Sequence, residues 1–210
     1  MRWLFALILS AQMAHADGER AGAFDYYVLA LSWSPTWCAL EGDARKSPQC
    51  DDDADFGWVL HGLWPQYWEG WPAYCRTSLR PATRSQTRAM ADIMGTSGSA
   101  WHQWKKHGTC AGVPAADYFD LARNAYESIT RPQVFRKLPR TVAVPAQVIE
   151  EAFLKANPTL TRDQITITCK RNRIQEARIC LSRDDLTPVT CGRDVIRDCS
   201  LDDALMDPIR

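Results

Sequence analysis

The chain has 210 residues with 25 Lys+Arg against 25 Asp+Glu, a formal net charge of zero. That balance excludes a protein that holds nucleic acid through a global basic field. A polyanion would have to be gripped by a local cluster, through a handful of salt-dependent contacts. The length suits one domain, and no linker, repeat or low-complexity tract divides it.

In chain order, Arg2, the apolar stretch Trp3 to Leu9 and the small-residue close Ala14-His15-Ala16 have the three zones of a secretory signal. Cleavage is expected after Ala16, giving a mature domain over 17–210 that is secreted or periplasmic. The apolar stretch is well short of the roughly 20 residues a membrane-spanning helix needs, and no later segment approaches that length. Removing Arg2 changes the balance to 24 minus 25, or −1.

Phe24 to Trp33 reads as a strand stopped by Ser34-Pro35, and Phe56 to Leu60 as a second one feeding into His61. The polar segment between them, Cys38 to Asp55, reads as a loop tied by two cysteines. Helical patterns follow at Arg84 to Met94, Ala116 to Ile129 and Ala146 to Ala156, the last opened by Pro145. Gln164 to Lys170 and Arg173 to Ser182 are rich in β-branched residues across a short polar turn, which predicts an antiparallel hairpin. Strands flanking a block of helices predict an α+β single domain, a central antiparallel β-sheet flanked by helices and stabilised by disulfides.

Cys38, Cys50, Cys75, Cys110, Cys169, Cys180, Cys191 and Cys199 make an even count behind an export signal, which favours four disulfides. No C-x-x-C pair occurs, so thiol coordination of zinc is the poorer explanation. By count alone, 105 connectivities are open.

Of four histidines, His15 leaves with the signal. The rest sit in two dense motifs, Trp58-Val-Leu-His61-Gly62-Leu63-Trp64-Pro65 and Trp101-His102-Gln103-Trp104-Lys105-Lys106-His107-Gly108-Thr109-Cys110. The first is read as a strand ending at an imidazole, with Gly62 turning the backbone sharply beside it. In a helix, His102 and Lys106 share one face and Gln103 and His107 the adjacent one. A lone histidine beside tryptophans is more often packed than catalytic; their joint concentration changes that weighting. Two imidazoles with pKa about 6.5 can divide general base and general acid duties, each transfer being worth roughly 10²–10⁴-fold. A nearby lysine supplies the charge that a five-coordinate phosphorus demands. A three-histidine metal site fits less well, since His102 and His107, five apart, diverge on a helix. A serine hydrolase lacks its G-x-S-x-G element, and a carbohydrate-binding module has no need of His61, His107 and Lys106 together.

These segments resemble the two active-site motifs of the ribonuclease T(2) family, acid-type endoribonucleases of low base specificity. His61-Gly62-Leu63-Trp64-Pro65 is intact, and the second is kept as His102-x-x-x-Lys106-His107-Gly108-Thr109-Cys110. Tyr27 to Cys38, with Leu29, Trp33 and Pro35, looks like the family's opening strand, and the cysteine-bearing hairpin like its C-terminal half. The resemblance implies an enzyme of single-stranded RNA with no metal or cofactor. His107 as base would take the 2′-OH proton, and His61 as acid would protonate the departing 5′ oxygen. A 2′,3′-cyclic phosphate would form and then open to a 3′-phosphate; DNA, lacking the 2′-OH, would not be cut. Lys106 would stabilise the crowded phosphate, His102 would hold one of its oxygens, and Trp64 would pack beside the acid histidine or a base. The family's usual bridges imply Cys38–Cys50, Cys75–Cys110, Cys169–Cys199 and Cys180–Cys191, in a protein expected to be monomeric.

One departure stands out, since family members usually carry Glu where this chain has Gln103. Losing a carboxylate beside His107 is expected to lower the pKa of that base. Either catalysis is weakened, to the point of a fold-retaining protein that binds RNA or a partner, or the amide is a harmless substitute. The aromatic residue the family tends to place two or three positions ahead of His102 is replaced by Ala100 and Ser99, with Trp101 adjacent, and Gln66 and Tyr67 after the first motif are further candidate base contacts. Among Trp64, Trp68 and Trp71, the last is expected to be packed, crowded by Pro72 and Cys75. Arg76, Arg80, Arg84 and Arg88 recur every four residues, but Pro81 argues against one continuous basic helix.

Overall fold

The computed structural model describes residues 19–210. The signal expected over residues 1–16 lies outside the described residues. The ordered elements are strands β1 (Tyr26–Trp33), β2 (Trp58–Gln66), β3 (Val142–Val144), β4 (Ile165–Lys170), β5 (Arg173–Ser182) and β6 (Ala204–Met206). With them are helices α1 (Ser34–Trp37), α2 (Arg84–Ala89), α3 (Ala91–Met94), α4 (Ser97–Lys106), α5 (Ala115–Ser128) and α6 (Ala146–Ala156). They form one α+β domain, as expected from the sequence.

Alternation along β1 sets the architecture. Tyr27, Leu29, Leu31 and Trp33 point into the main core with Tyr118, Phe119, Ile149 and Phe153 of the helices, whereas Tyr26 and Val28 join a smaller cluster with Cys180, Cys191 and Trp64. Successive strand residues face opposite sides, so one face of the sheet packs on helices while the other is left to build a cleft. The strand order is β2-β1-β5-β6-β3, with β4 paired to β5. Among these strands pairing is antiparallel except between β5 and β6, which meet in a parallel bridge, Arg173 with Leu205.

The β4–β5 hairpin turns at Arg171 and Asn172, both at positive φ, the backbone that a tight two-residue hairpin requires. Three sequence expectations change. The Arg84 to Met94 helix breaks at buried Met90 into α2 and α3, α2 opening on a capping box from Thr83 and Gln86. The loop from Cys38 to Asp55 contains a π-helical turn over Cys38–Gly42 and a 3-10 turn over Pro48–Cys50. The short strands β3 and β6, three residues each, give periodicity too little length to signal.

The four disulfides are Cys38–Cys50, Cys75–Cys110, Cys169–Cys199 and Cys180–Cys191, the pairing the resemblance implies. Two anchor the C-terminal segment to the hairpin, and Cys75–Cys110 clamps the end of the second histidine motif. Among the described residues, no helix is long and apolar enough to cross a membrane.

Candidate active site

The sequence reading ends a strand at His61 and turns the chain at Gly62, but β2 continues to Gln66. Leu31 pairs with Leu60 and Ala30 with Gly62, so His61 is the extra residue of a β-bulge. A bulge bends the strand and re-aims a side chain, which is how the imidazole leaves the pleat for the cleft. Gly62 is required by close approach: a Cβ there would overlap the Trp64 indole nitrogen and stand 2.5 Å from Gln103 Oε1.

The second motif forms α4, which lies beside β2, the terminal strand of the sheet. Thr96 caps the helix by accepting from the Ser99 N–H, and His107 closes it, its N–H donating to the Gln103 carbonyl. Trp104 faces the core against Tyr118. That orientation carries Gln103 and His107 round toward Trp64. The Trp64 indole N–H donates to Gln103 Oε1 at 2.8 Å. Its ring stacks on His107 (centroids 5.1 Å, planes 27° apart) and meets His61 edge-on (5.1 Å, 79°). One indole thus spaces the two imidazoles. The Lys106 carbonyl accepts the Tyr74 N–H at 2.8 Å, next to the Cys75–Cys110 bridge.

His107 is buried, its Nδ1 has no hydrogen-bond partner, and the residue lines the cleft. Burial, reinforced by the charges of Lys106, His61 and His102, pushes its pKa down to about 3. His102 is also lowered, by burial and then by Lys106, His61 and Lys105. No carboxylate offsets either shift, in keeping with the amide at position 103.

Sequence reading missed Glu176 and Arg178. Glu176 lies on β5 opposite Ser32, two places across the sheet from the bulge. Its side chain is 1% exposed, with Oε1 2.5 Å from His61 Nδ1 and Oε2 accepting from Arg178 Nε at 2.8 Å and Nη2 at 2.7 Å. Ser32 Oγ also donates to Oε1, at 3.3 Å. Burial alone would raise the carboxyl; the His61 hydrogen bond and charge, with Arg178, bring it down to about 2. Arg178 in turn lies over the Trp64 ring, 5.4 Å from its centroid.

Two cavities meet here. One of about 320 Å³ is lined by His61, Trp64, Trp71, Lys106, His107 and Arg178; the other, of about 650 Å³, runs past His61 and His102 toward Thr96, Trp37 and Lys170. His61, His102, Gln103, Lys106, His107 and Trp64 are thus brought together. Gln66 reaches the smaller cavity but is buried, its amide donating to the Gly70 carbonyl, and Tyr67 is outside both linings, packed against the core. Trp71, expected to be packed, is 56% exposed at the cleft: the bridge at Cys75 holds its backbone and leaves its ring free. Trp68 rests on Tyr26. The arginine stripe does not exist as one helix, since α2 starts at Arg84.

Among the described residues the one close group of potential metal-ligand atoms, Cys38, Asp43 and Cys50, is apart from the histidines and has both sulfurs in a disulfide. What the site does offer is two imidazoles of different environment around an indole, an ammonium next to one and a buried carboxylate behind the other. That set suits proton transfer at a phosphodiester.

Comparison with known proteins agrees. The model of the Ribonuclease T2 family matches residues 24–191. A ribonuclease of Aeromonas hydrophila is 35% identical over 205 residues, covering 93% of this chain and 90% of that protein. A probable ribonuclease of Haemophilus influenzae is 33% identical over 136 residues, 59% of this chain and 49% of the other. Among solved structures, an RNase-related protein from Calystegia sepium superposes with a TM-score of 0.65 at 19% identity, covering 89% of this chain and 97% of its own. RNase NT in complex with 5′-AMP does so at 0.63 and 16%, covering 89% and 99%. With both histidine motifs assembled in one cleft of the same fold, the chain belongs to the ribonuclease T2 family and is an endoribonuclease of that type.

Proposed function

We propose that the protein is an exported endoribonuclease that cleaves single-stranded RNA by transphosphorylation, without a metal ion. The observation that carries this reading is the pair of imidazoles packed on one indole, with Lys106 next in sequence to His107. His107, largely unprotonated above its lowered pKa of about 3, takes the 2′-OH proton through Nε2. The 2′ oxygen attacks phosphorus, the bond to the 5′ oxygen breaks, and His61 delivers a proton to that oxygen. Lys106 and His102 stabilise charge on the nonbridging oxygens. Water then opens the 2′,3′-cyclic phosphate to a 3′-phosphate with the two histidines exchanging roles. DNA has no 2′-OH to activate and is not a substrate. Trp64 contributes to seating the nucleotide, with the exposed ring of Trp71 at the same cavity. The secretory-signal pattern at the start and the four disulfides support export to the periplasm or medium.

A second reading is favoured by one feature: a base with so low a pKa accepts protons weakly, and Gln103 is held by Trp64. The protein would then keep the scaffold and turn over slowly. Turnover of a short RNA by the oxidised protein across pH 4 to 9, with EDTA present, separates the two. Cleavage to a cyclic phosphate, abolished by His61→Ala or His107→Ala and indifferent to chelator, supports the enzyme. No cleavage by the unaltered protein, but recovery in Gln103→Glu, supports the attenuated scaffold.

A further inference from the structure

The mechanism above uses His61 as an acid and leaves the group behind it without a role. We propose that Glu176 is a positioning residue for this reaction, its carboxylate braced by Arg178 and fixing the ring of His61 so that Nε2 is the nitrogen offered to the leaving oxygen. This rests on the reading of His61 as general acid.

Both carboxylate oxygens are occupied, Oε1 by His61 and Ser32 and Oε2 by Arg178, so the group has one setting. A carboxylate only accepts hydrogen bonds, so Nδ1 of His61 must be the donor. A neutral ring is then held in the Nδ1–H tautomer, and a charged ring has only Nε2–H to give to substrate. His61, Ser32 and Glu176 sit on three consecutive strands, with β1 between the bulge in β2 and Glu176 in β5. Geometry set by strand register is held more tightly than geometry set by a loop. His61 is partly exposed, with 42% of its side chain open, and without the carboxylate the ring could rotate.

A carboxylate also lies where the departure at Gln103 would not place one. Position 103, beside His107, is an amide bonded to Trp64, while the carboxylate that touches an imidazole is Glu176 on β5, bonded to His61. The anionic partner has therefore been assigned to the acid histidine and withheld from the base.

The test compares two substrates in Glu176→Ala, Glu176→Gln and His61→Ala. A dinucleotide must expel an alkoxide and needs its proton; uridine 3′-(4-nitrophenyl phosphate) expels a stable phenolate and does not. Glu176→Ala should lose roughly 10²-fold on the dinucleotide, the lower end of a proton-transfer contribution, and only about threefold on the aryl ester. His61→Ala should show the same selectivity. Equal loss on both substrates in the Glu176 variants, with selective loss in His61→Ala, would leave Glu176 a structural residue and overturn the proposal. Equal loss in His61→Ala would instead remove the general-acid reading and the proposal with it. Nitrogen NMR of the unaltered protein is independent of how the variants fold. Nδ1–H as the neutral tautomer of His61 is expected, and a predominant Nε2–H form contradicts the assignment.

Discussion

Replacing Gln103 by Glu puts one charge where the structure has none, and the consequence can be worked out. The two side chains are nearly the same shape, so an oxygen at the Oε1 position can still accept the Trp64 indole N–H. Gln103 and His107 are one helical turn apart, and the His107 N–H closes that turn on the Gln103 carbonyl. Side chains so spaced have Cβ atoms about 5–6 Å apart. At an effective dielectric of about 20, opposite unit charges ~6 Å apart attract by roughly 2.8 kcal/mol, which is about two pKa units. His107 should move from about 3 toward about 5. At pH 4 the unaltered base would be about nine-tenths free and the variant's about one-tenth free. The assay is kcat/KM for a dinucleotide between pH 3 and 7, which reports groups of the free enzyme. The variant's acid limb should shift up by one to two units, with activity at pH 4 falling about tenfold from its own plateau. The plateau should rise, because a stronger base transfers more readily. An acid limb that stays put, or moves down, would refute the placement of position 103 beside the base.

Three further outcomes follow from the same geometry. Gly62→Ala should break the Trp64–Gln103 hydrogen bond, because the new Cβ falls on both partners; activity should drop at least tenfold, with the Trp64 fluorescence changed while far-ultraviolet circular dichroism is retained. His107 titrates near 6.5 when unfolded and about 3 when folded, so the unfolded chain gains the proton first. The stability this group contributes is complete above pH 6.5 and lost as pH falls toward 3, by up to about 5 kcal/mol. Urea unfolding at pH 7, 5 and 3.5 should therefore show a shallower decline in His107→Phe, and an unchanged decline would disprove it. Removing the Cys75–Cys110 bridge, which spans 35 positions, with Cys75→Ala/Cys110→Ala should lower unfolding free energy by about 4 kcal/mol. Catalysis should suffer alongside, since that bridge clamps the end of the His107 motif.

The parts of the site that could be read from the sequence are those written contiguously. His102, Gln103, Lys106 and His107 lie within two helical turns, and a 3.6-residue period is enough to assign them to neighbouring faces. His61 was legible as a residue but not in its setting, because the bulge that turns it out is a property of two strands in register. Glu176 was hidden for a stronger reason. It is 115 positions from His61, and nothing along the chain says that β1 will lie between them. The one local signal was a charged pair, Glu176 and Arg178, two apart and so on one face of a strand whose next residues, Ile179 to Leu181, are apolar. Buried charges are rare unless paired, and that signal marks a strand facing something polar without naming it.

The two histidines start from the same unperturbed chemistry and are made unlike by what each strand or helix brings. Around His107 the neighbours are an indole, an amide and a lysine, with Nδ1 unpartnered; such surroundings disfavour a proton and suit a group that must begin the reaction without one. Around His61 the immediate partner is a carboxylate that is itself held by a guanidinium, which makes Nδ1 the donor to the protein and leaves Nε2 for the leaving oxygen. Trp64 keeps these two environments apart while touching both rings. The division of labour between base and acid therefore follows from placing one buried carboxylate on β5 and none on α4. Moving that charge, as Glu176→Gln combined with Gln103→Glu would do, should displace the acid limb of kcat/KM upward through His107 and, by loosening the ring of His61, cost activity on a dinucleotide but little on an aryl ester.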